Sequence, residues 1–271
     1  MSAGTDQHAG ESGAAKSGDQ DDPGEGPATA EAVEYGETWV YESIIGAVPF
    51  VDVSRRAAFA IQFGLFEAGV LVLAAVYGVW QGALAGTVAV ALATVGSFEM
   101  LRISGLVRRA DLPADYREAV FGSSIEVVLG LLAFLALLTY LFVVDPRDGA
   151  SLVAELLGET PPAPAVYLLM LVAWDVCYRI GTGWWACVVG LWRSLRYSFG
   201  PERRRLLQRA DLETLGFALL QLVLAPFLVG HPILFYAVVG HVVAVGVVTG
   251  LSLAALSVNG QSEDRVRKLS P

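Results

Sequence analysis

Six long apolar stretches separated by short polar breaks constrain this chain more than any other feature. They run near residues 57–80, 82–104, 119–144, 166–191, 212–228 and 232–256. A helix rising 1.5 Å per residue needs roughly 17–25 apolar residues to cross a hydrocarbon core of about 30 Å. Each stretch meets that requirement. The mean hydropathy of +0.55 and a charged fraction of only 17% lie on the membrane side of the globular norm. The expected fold class is therefore an all-α integral membrane protein, a bundle of about six transmembrane helices preceded by a disordered acidic N-terminal tail. Its parts are expected to be a tail over 1–34, an interfacial amphipathic helix over 35–50, a transmembrane domain over 51–259 and a short basic C-terminus over 260–271.

Orientation follows from where the positive charge falls. Of the 18 Lys and Arg residues, 16 lie on one side of a six-span arrangement; Arg147 lies on the other side and Arg179 inside the fourth span. Basic loops are retained in the cytoplasm, so both termini are expected there and the chain is expected in the cell membrane. No apolar signal-peptide region precedes the first span, which must then act as the insertion signal. Three short segments are left for the opposite face. They are a Trp80-Gln81-Gly82 turn, a loop carrying Asp145, Asp148, Glu155 and Glu159, and a Gly230-His231-Pro232 turn.

The net charge of −9 is concentrated in the first 43 residues, where ten acidic side chains face only Lys16. Up to Glu34 that segment is too poor in apolar residues to offset its ordering entropy, which is the signature of disorder. After it, Val40, Ile44, Ile45 and Val48 recur at helical spacing beside Tyr35 and Trp39 and stop at Pro49, the pattern of a helix lying in a membrane interface. Asp111-Leu-Pro113 reads as a helix start, Gly200-Pro201 as a break before a basic segment over 202–209, and Asp211 as a cap for the fifth span. The cluster Arg203, Arg204 and Arg205 is placed to meet anionic lipid head groups, or simply to set topology.

Ionisable groups inside a membrane cost several kcal/mol unless they find a partner or water, so chemistry is sought there. Depth along each span puts Glu67, Asp175, Gln221 and His241 near the midplane, with Glu126 and Arg179 one or two turns nearer the termini. Asp175 and Arg179 are i,i+4 on one helix face and can pair; Glu126, at matching depth, is the other carboxylate expected near Arg179. Gly181 and Gly183 follow, and are expected to break the fourth helix in the manner of discontinuous transporter helices. A neutral His241 hydrogen-bonded to Gln221 or to a carboxylate is expected over a metal ligand. Glu99 and Arg102, i,i+3, form an interface pair.

No nucleophile elbow, zinc-binding His-Glu-x-x-His, phosphate loop or dinucleotide fingerprint is present, and no lysine lies within a span to hold retinal. Cys177 and Cys187 share one span, about 15 Å apart along it, which excludes a disulfide between them. No catalytic residues, metal site, cofactor or nucleic-acid partner is expected, and an enzyme is disfavoured. An intramembrane hydrolase would have to use Ser123 or Ser124 near Glu126 without an evident base. The segments Glu34-Tyr-Gly-Glu-Thr-Trp-Val-Tyr-Glu-Ser43 and Asp175–Trp185 resemble uncharacterised multi-pass membrane proteins of haloarchaea, a resemblance that implies no activity. Two functional expectations remain. One is a small transporter or channel using the midplane acidic groups; the other is a non-catalytic scaffold or regulatory subunit. The expected partners are the bilayer, anionic lipid head groups, and a second copy or another membrane protein.

Overall fold

The structure, a computed structural model, describes Trp39, residues 55–149 and residues 151–269. The expected tail, the expected interfacial helix apart from Trp39, and residues 270–271 lie outside the described residues. Among the described residues there is no strand, and six helical segments are long and apolar enough to cross a membrane. The protein is an all-α multi-pass membrane protein.

The spans are α1 (Arg55–Tyr77), α2 (Trp80–Arg109), a composite third span over Ala114–Arg147, α6 (Ala163–Arg196), a fifth span over Pro201–Leu228 and α8 (Pro232–Leu269). The third span comprises α3 (Ala114–Arg117), a π-helical turn Glu118–Gly122, α4 (Ile125–Thr139), a second π-helical turn Tyr140–Val144 and a 3-10 turn Asp145–Asp148. Between spans three and four lies the six-residue α5 (Leu152–Leu157). The fifth span is α7 (Pro201–Leu220) continued by a 3-10 segment Gln221–Leu228 that contains Pro226. An even number of crossings puts both ends of the domain at one face, called here the near face; α5 and the 229–231 turn belong to the far face.

Several local expectations are corrected. The first turn is at Gly78–Val79 and Trp80 already starts α2, because Gly78 takes φ +73°, a backbone state open to glycine. The basic segment and the fifth span are one continuous helix, since nothing between Arg209 and Leu212 interrupts it. Asp211 is consequently not a cap; it sits in mid-helix and is buried.

The fourth span is also unbroken: α6 runs through Gly181 and Gly183. Gly181 serves packing. A Cβ there would fall 2.5 Å from the amide nitrogen of Gly130, and one on Gly130 would fall 2.8 Å from Cα of Tyr178. Spans three and four therefore touch backbone to backbone, the use to which membrane helices commonly put small residues.

The break expected in span four occurs in span three. Ser124 has φ +52°, a strained state for a residue with a Cβ, and α4 starts afresh after it with no side-chain cap. Carbonyls freed at such a break must find donors inside the protein, because hydrocarbon offers none. Two indoles supply them: Trp39 Nε1 donates to the Val120 carbonyl at 3.0 Å, and Trp185 Nε1 to that of Ala119 at 2.7 Å. Trp39 is fully buried and meets Phe121 edge-on, 5.4 Å between centroids.

Candidate functional site

Arg179 and Asp175 form a forked pair on one face of α6. Nη2 lies 2.7 Å from Oδ1 and 2.9 Å from Oδ2, and Nε lies 3.2 Å from Oδ2. Nη1 meets the sulfur of Met100 at 3.5 Å, and Gly96 makes room for the arginine stem. Glu126 is not a partner in this arrangement. It is wholly buried in the first turn of α4, and neither carboxylate oxygen has a hydrogen-bond partner.

The remaining midplane groups are dispersed. Glu67 accepts a 2.8 Å hydrogen bond from Thr87 Oγ1, tying α1 to α2, while its other oxygen has no partner. The expected bond between His241 and Gln221 is not made: the imidazole lies beside the Trp184 ring, 6.3 Å between centroids, and Gln221 Oε1 is buried without a partner. Asp175 borders a void of about 10 Å³, also lined by Gln62, Phe66 and Thr94. That volume is at the lower limit for one water molecule. Among the described residues no three His, Cys, Asp or Glu side chains are grouped to hold a metal ion. Ser123 Oγ donates to the Ala119 carbonyl at 2.9 Å, and so its proton is engaged by the backbone of its own helix.

A larger space lies toward the far face. It measures about 490 Å³ and is lined by residues of all six spans and of α5. Its walls are largely apolar, with several Ala and Gly among them; Gln221 and His241 are the polar groups at the level where α7 changes to 3-10 geometry, and Tyr140 and Cys177 also line it. Gln221 and His241 thus share a cavity, whereas Asp175, Arg179, Glu67 and Glu126 do not line it.

Two further polar clusters escaped the reading by depth. Near the terminal face, Arg193 Nη2 pairs with Asp211 Oδ1 at 2.6 Å and Nη1 donates to the Tyr116 hydroxyl at 3.0 Å. Ser252 donates to Asp211 Oδ2 at 2.7 Å, its hydroxyl lies 2.8 Å from that of Ser194, and Asn259 Nδ2 donates to the Ser194 carbonyl at 2.9 Å. Spans three to six are joined by this network. The sequence signal was the small polar residues Ser194 and Ser252 inside apolar helices.

On the far face, Asp145 Oδ1 accepts from the Tyr140 hydroxyl at 2.9 Å and lies 2.7 Å from His231 Nδ1. Asp145 Oδ2 accepts the Leu152 amide at 2.6 Å. His231 Nε2 faces Glu155 Oε2 at 3.3 Å. Burial acts to lower the His231 pKa, but the hydrogen bonds and charges of Asp145 and Glu155 outweigh it, and the net shift is upward. The signal here was a histidine in a turn on the same face as an acidic loop.

Of the three arginines assigned to lipid head groups, Arg203 makes an exposed pair with Asp111 at 2.9 Å, Arg204 is half-buried and Arg205 is exposed. Arg102 bridges Glu99, at 3.5 Å, and Glu213.

No curated protein and no solved structure matches the chain. One family profile does, over residues 34–252, which takes in the first five spans, most of the sixth and most of the polar groups described above. On that match the chain belongs to the family of unknown function DUF7530.

Proposed function

We propose that this protein binds a single-chain amphiphile drawn from the bilayer, holding the chain in the far-face cavity and a neutral head group against Gln221 and His241. The observation that carries this is a cavity of about 490 Å³ whose lining is apolar apart from Gln221 and His241 at one level and the Tyr140 and Cys177 side chains. Small-molecule sites are commonly 300–1,000 Å³ with apolar walls and a few placed polar groups. A head group carrying a hydroxyl or amide can meet these two side chains by hydrogen bonds, each worth about 0.5–1.5 kcal/mol net. No charged side chain lines the cavity, which argues for a neutral head.

In this form the transport expectation moves from ions to apolar molecules. The void beside Asp175 is too small for a hydrated path, and Asp175 is already paired. A scaffold role is the second reading, favoured by the closed Arg193–Asp211 and Asp175–Arg179 pairs, which read as devices that fix helix packing. Cytoplasmic placement of both termini, with Arg203, Arg204 and Arg205 near anionic lipid, belongs to the same proposal and is supported by the basic near-face segments.

Native mass spectrometry with dodecanol and with dodecyltrimethylammonium tests the reading. The alcohol should bind and the cation should not. Gln221→Leu should weaken alcohol binding by about tenfold, the effect of losing one hydrogen bond of roughly 1.4 kcal/mol. Equal binding of both probes, or an alcohol affinity indifferent to Gln221→Leu, overturns the assignment.

A further inference from the structure

At its far end the cavity is lined by α5. A six-residue helix is too short to be stable alone, so its place depends on what holds it. Leu152, Leu156 and Leu157 face the cavity. Gly82 lets the α5 backbone rest directly on α2, since a Cβ there would come within 2.5 Å of the Leu156 carbonyl oxygen. On either side of α5 stand Gly149 and Gly158, with φ +82° and +87°. Such residues are suited to absorbing a change of backbone angle.

Leu152 and Val153 are also buried against Tyr140 and Leu141 of span three, and polar contacts supply the rest of the hold. Asp145 takes the Leu152 amide, and His231 lies between Asp145 and Glu155, at 2.7 and 3.3 Å. His231 is buried, whereas the Glu155 side chain is 57% exposed. The titratable groups facing this cluster are Tyr140 and Asp145 from the end of span three and Glu155 from α5 itself.

Building on the ligand-binding reading above, we infer that α5 is a lid on the cavity and that protonation of His231 latches it shut. An imidazolium donates from both ring nitrogens, satisfying Asp145 and Glu155 together. A neutral ring has one proton. Asp145, closer and buried, retains it at Nδ1, and Nε2 then turns a lone pair toward the Glu155 carboxylate. The His231–Glu155 bond to the lid is lost, whereas Asp145 keeps its bonds to His231 and to the Leu152 amide, which leaves α5 tethered at its N-terminal end. The upward shift of the His231 pKa keeps the latch closed to higher pH than a free histidine would.

The protein carries its own reporter, because Cys177 lines the cavity whereas Cys187 does not. In the full chain carrying Cys187→Ala, alkylation of Cys177 by N-ethylmaleimide is followed at about pH 5 and about pH 9, on either side of imidazole titration. His231→Gln and Glu155→Gln are compared with the parent at each pH, which cancels the pH dependence of the thiol itself. At the acid pH both variants should react roughly tenfold faster than the parent, and at the alkaline pH the three should agree. Glu155 is at the surface, and so its variant carries the test should His231→Gln fail to fold. If Cys177 reacts but all proteins agree at both pH values, or the variants are faster by the same factor at both, the latch is wrong and the cavity reading stands. If Cys177 reacts only after unfolding, the cavity reading falls as well.

Discussion

The near and far halves of the bundle are built from the same six helices and are filled in opposite ways. Toward the chain ends the interior holds Trp39, Tyr116, Phe121, Phe199 and Leu207, all buried, around the Arg193–Asp211 pair. Toward the far face Ala83, Gly86, Ala89, Ala133, Ala136 and Ala173 stand among larger apolar side chains, and a cavity of about 490 Å³ remains. Each span is one continuous or nearly continuous element and contributes to both halves. Side-chain volume differs between them. Where small residues face one another without the helices closing in, the backbone must be held apart elsewhere, and the large side chains of the near half are placed to do that.

The largest test of this contrast is Arg193→Leu. It strands Asp211 in the near half and should cost about 3–5 kcal/mol, read as a lowered melting temperature in detergent. Adding Asp211→Leu should recover part of the loss, because no buried charge is then unpaired. Recovery failing altogether would mean that the hydroxyls of Ser252 and Tyr116, rather than the ion pair, anchor this half.

A matched pair of truncations is next. Leu207→Ala removes a fully buried side chain from a filled core and should cost about 2–5 kcal/mol. Leu137→Ala, on the cavity wall, enlarges a space that already exists and should cost less than about 1.5 kcal/mol, because few packing contacts are lost. Equal costs for the two would show that the cavity is closed in the membrane.

The smallest effect is the pH dependence of the far half. The folded-state pKa of His231 is raised, so its contribution to stability is complete below the unfolded-state value and is lost as pH rises through the folded-state value. Thermal melts should therefore show a decline on the alkaline side of the imidazole range that is absent in His231→Gln. A decline on the acid side that disappears in this variant would reverse the assignment.

The span count and the Asp175–Arg179 contact were legible because both rest on spacing within one helix. Apolar length fixes crossings, and an i,i+4 offset fixes a shared face. What depth counting missed was rotation. Glu126 lies at the expected level, yet its carboxylate meets no partner, because depth says nothing about which way a side chain turns. Arg193 appeared to belong to a cytoplasmic segment and Asp211 to a cap, and they meet only because α6 and α7 both run longer than their apolar cores. Of the two glycines expected to break span four, Gly181 instead receives the backbone of span three and Gly183 faces open space, while the break falls at Ser123–Ser124, where two indoles from distant positions make it tolerable.

By itself, then, the sequence determined the solvent of each segment. A run of apolar residues in water or in lipid has the same transfer energy whatever lies beside it, so class, crossings and membrane-facing composition follow from local content. Tertiary structure decided which polar groups share a space. His241 and Gln221 border one cavity, His231 joins Asp145 and Glu155, and Arg193 joins Asp211 because helix rotation, a displaced break and a lengthened fifth helix bring them together. Those are distances between helices, set by the packing of all the side chains at once, and no stretch of the chain carries them alone.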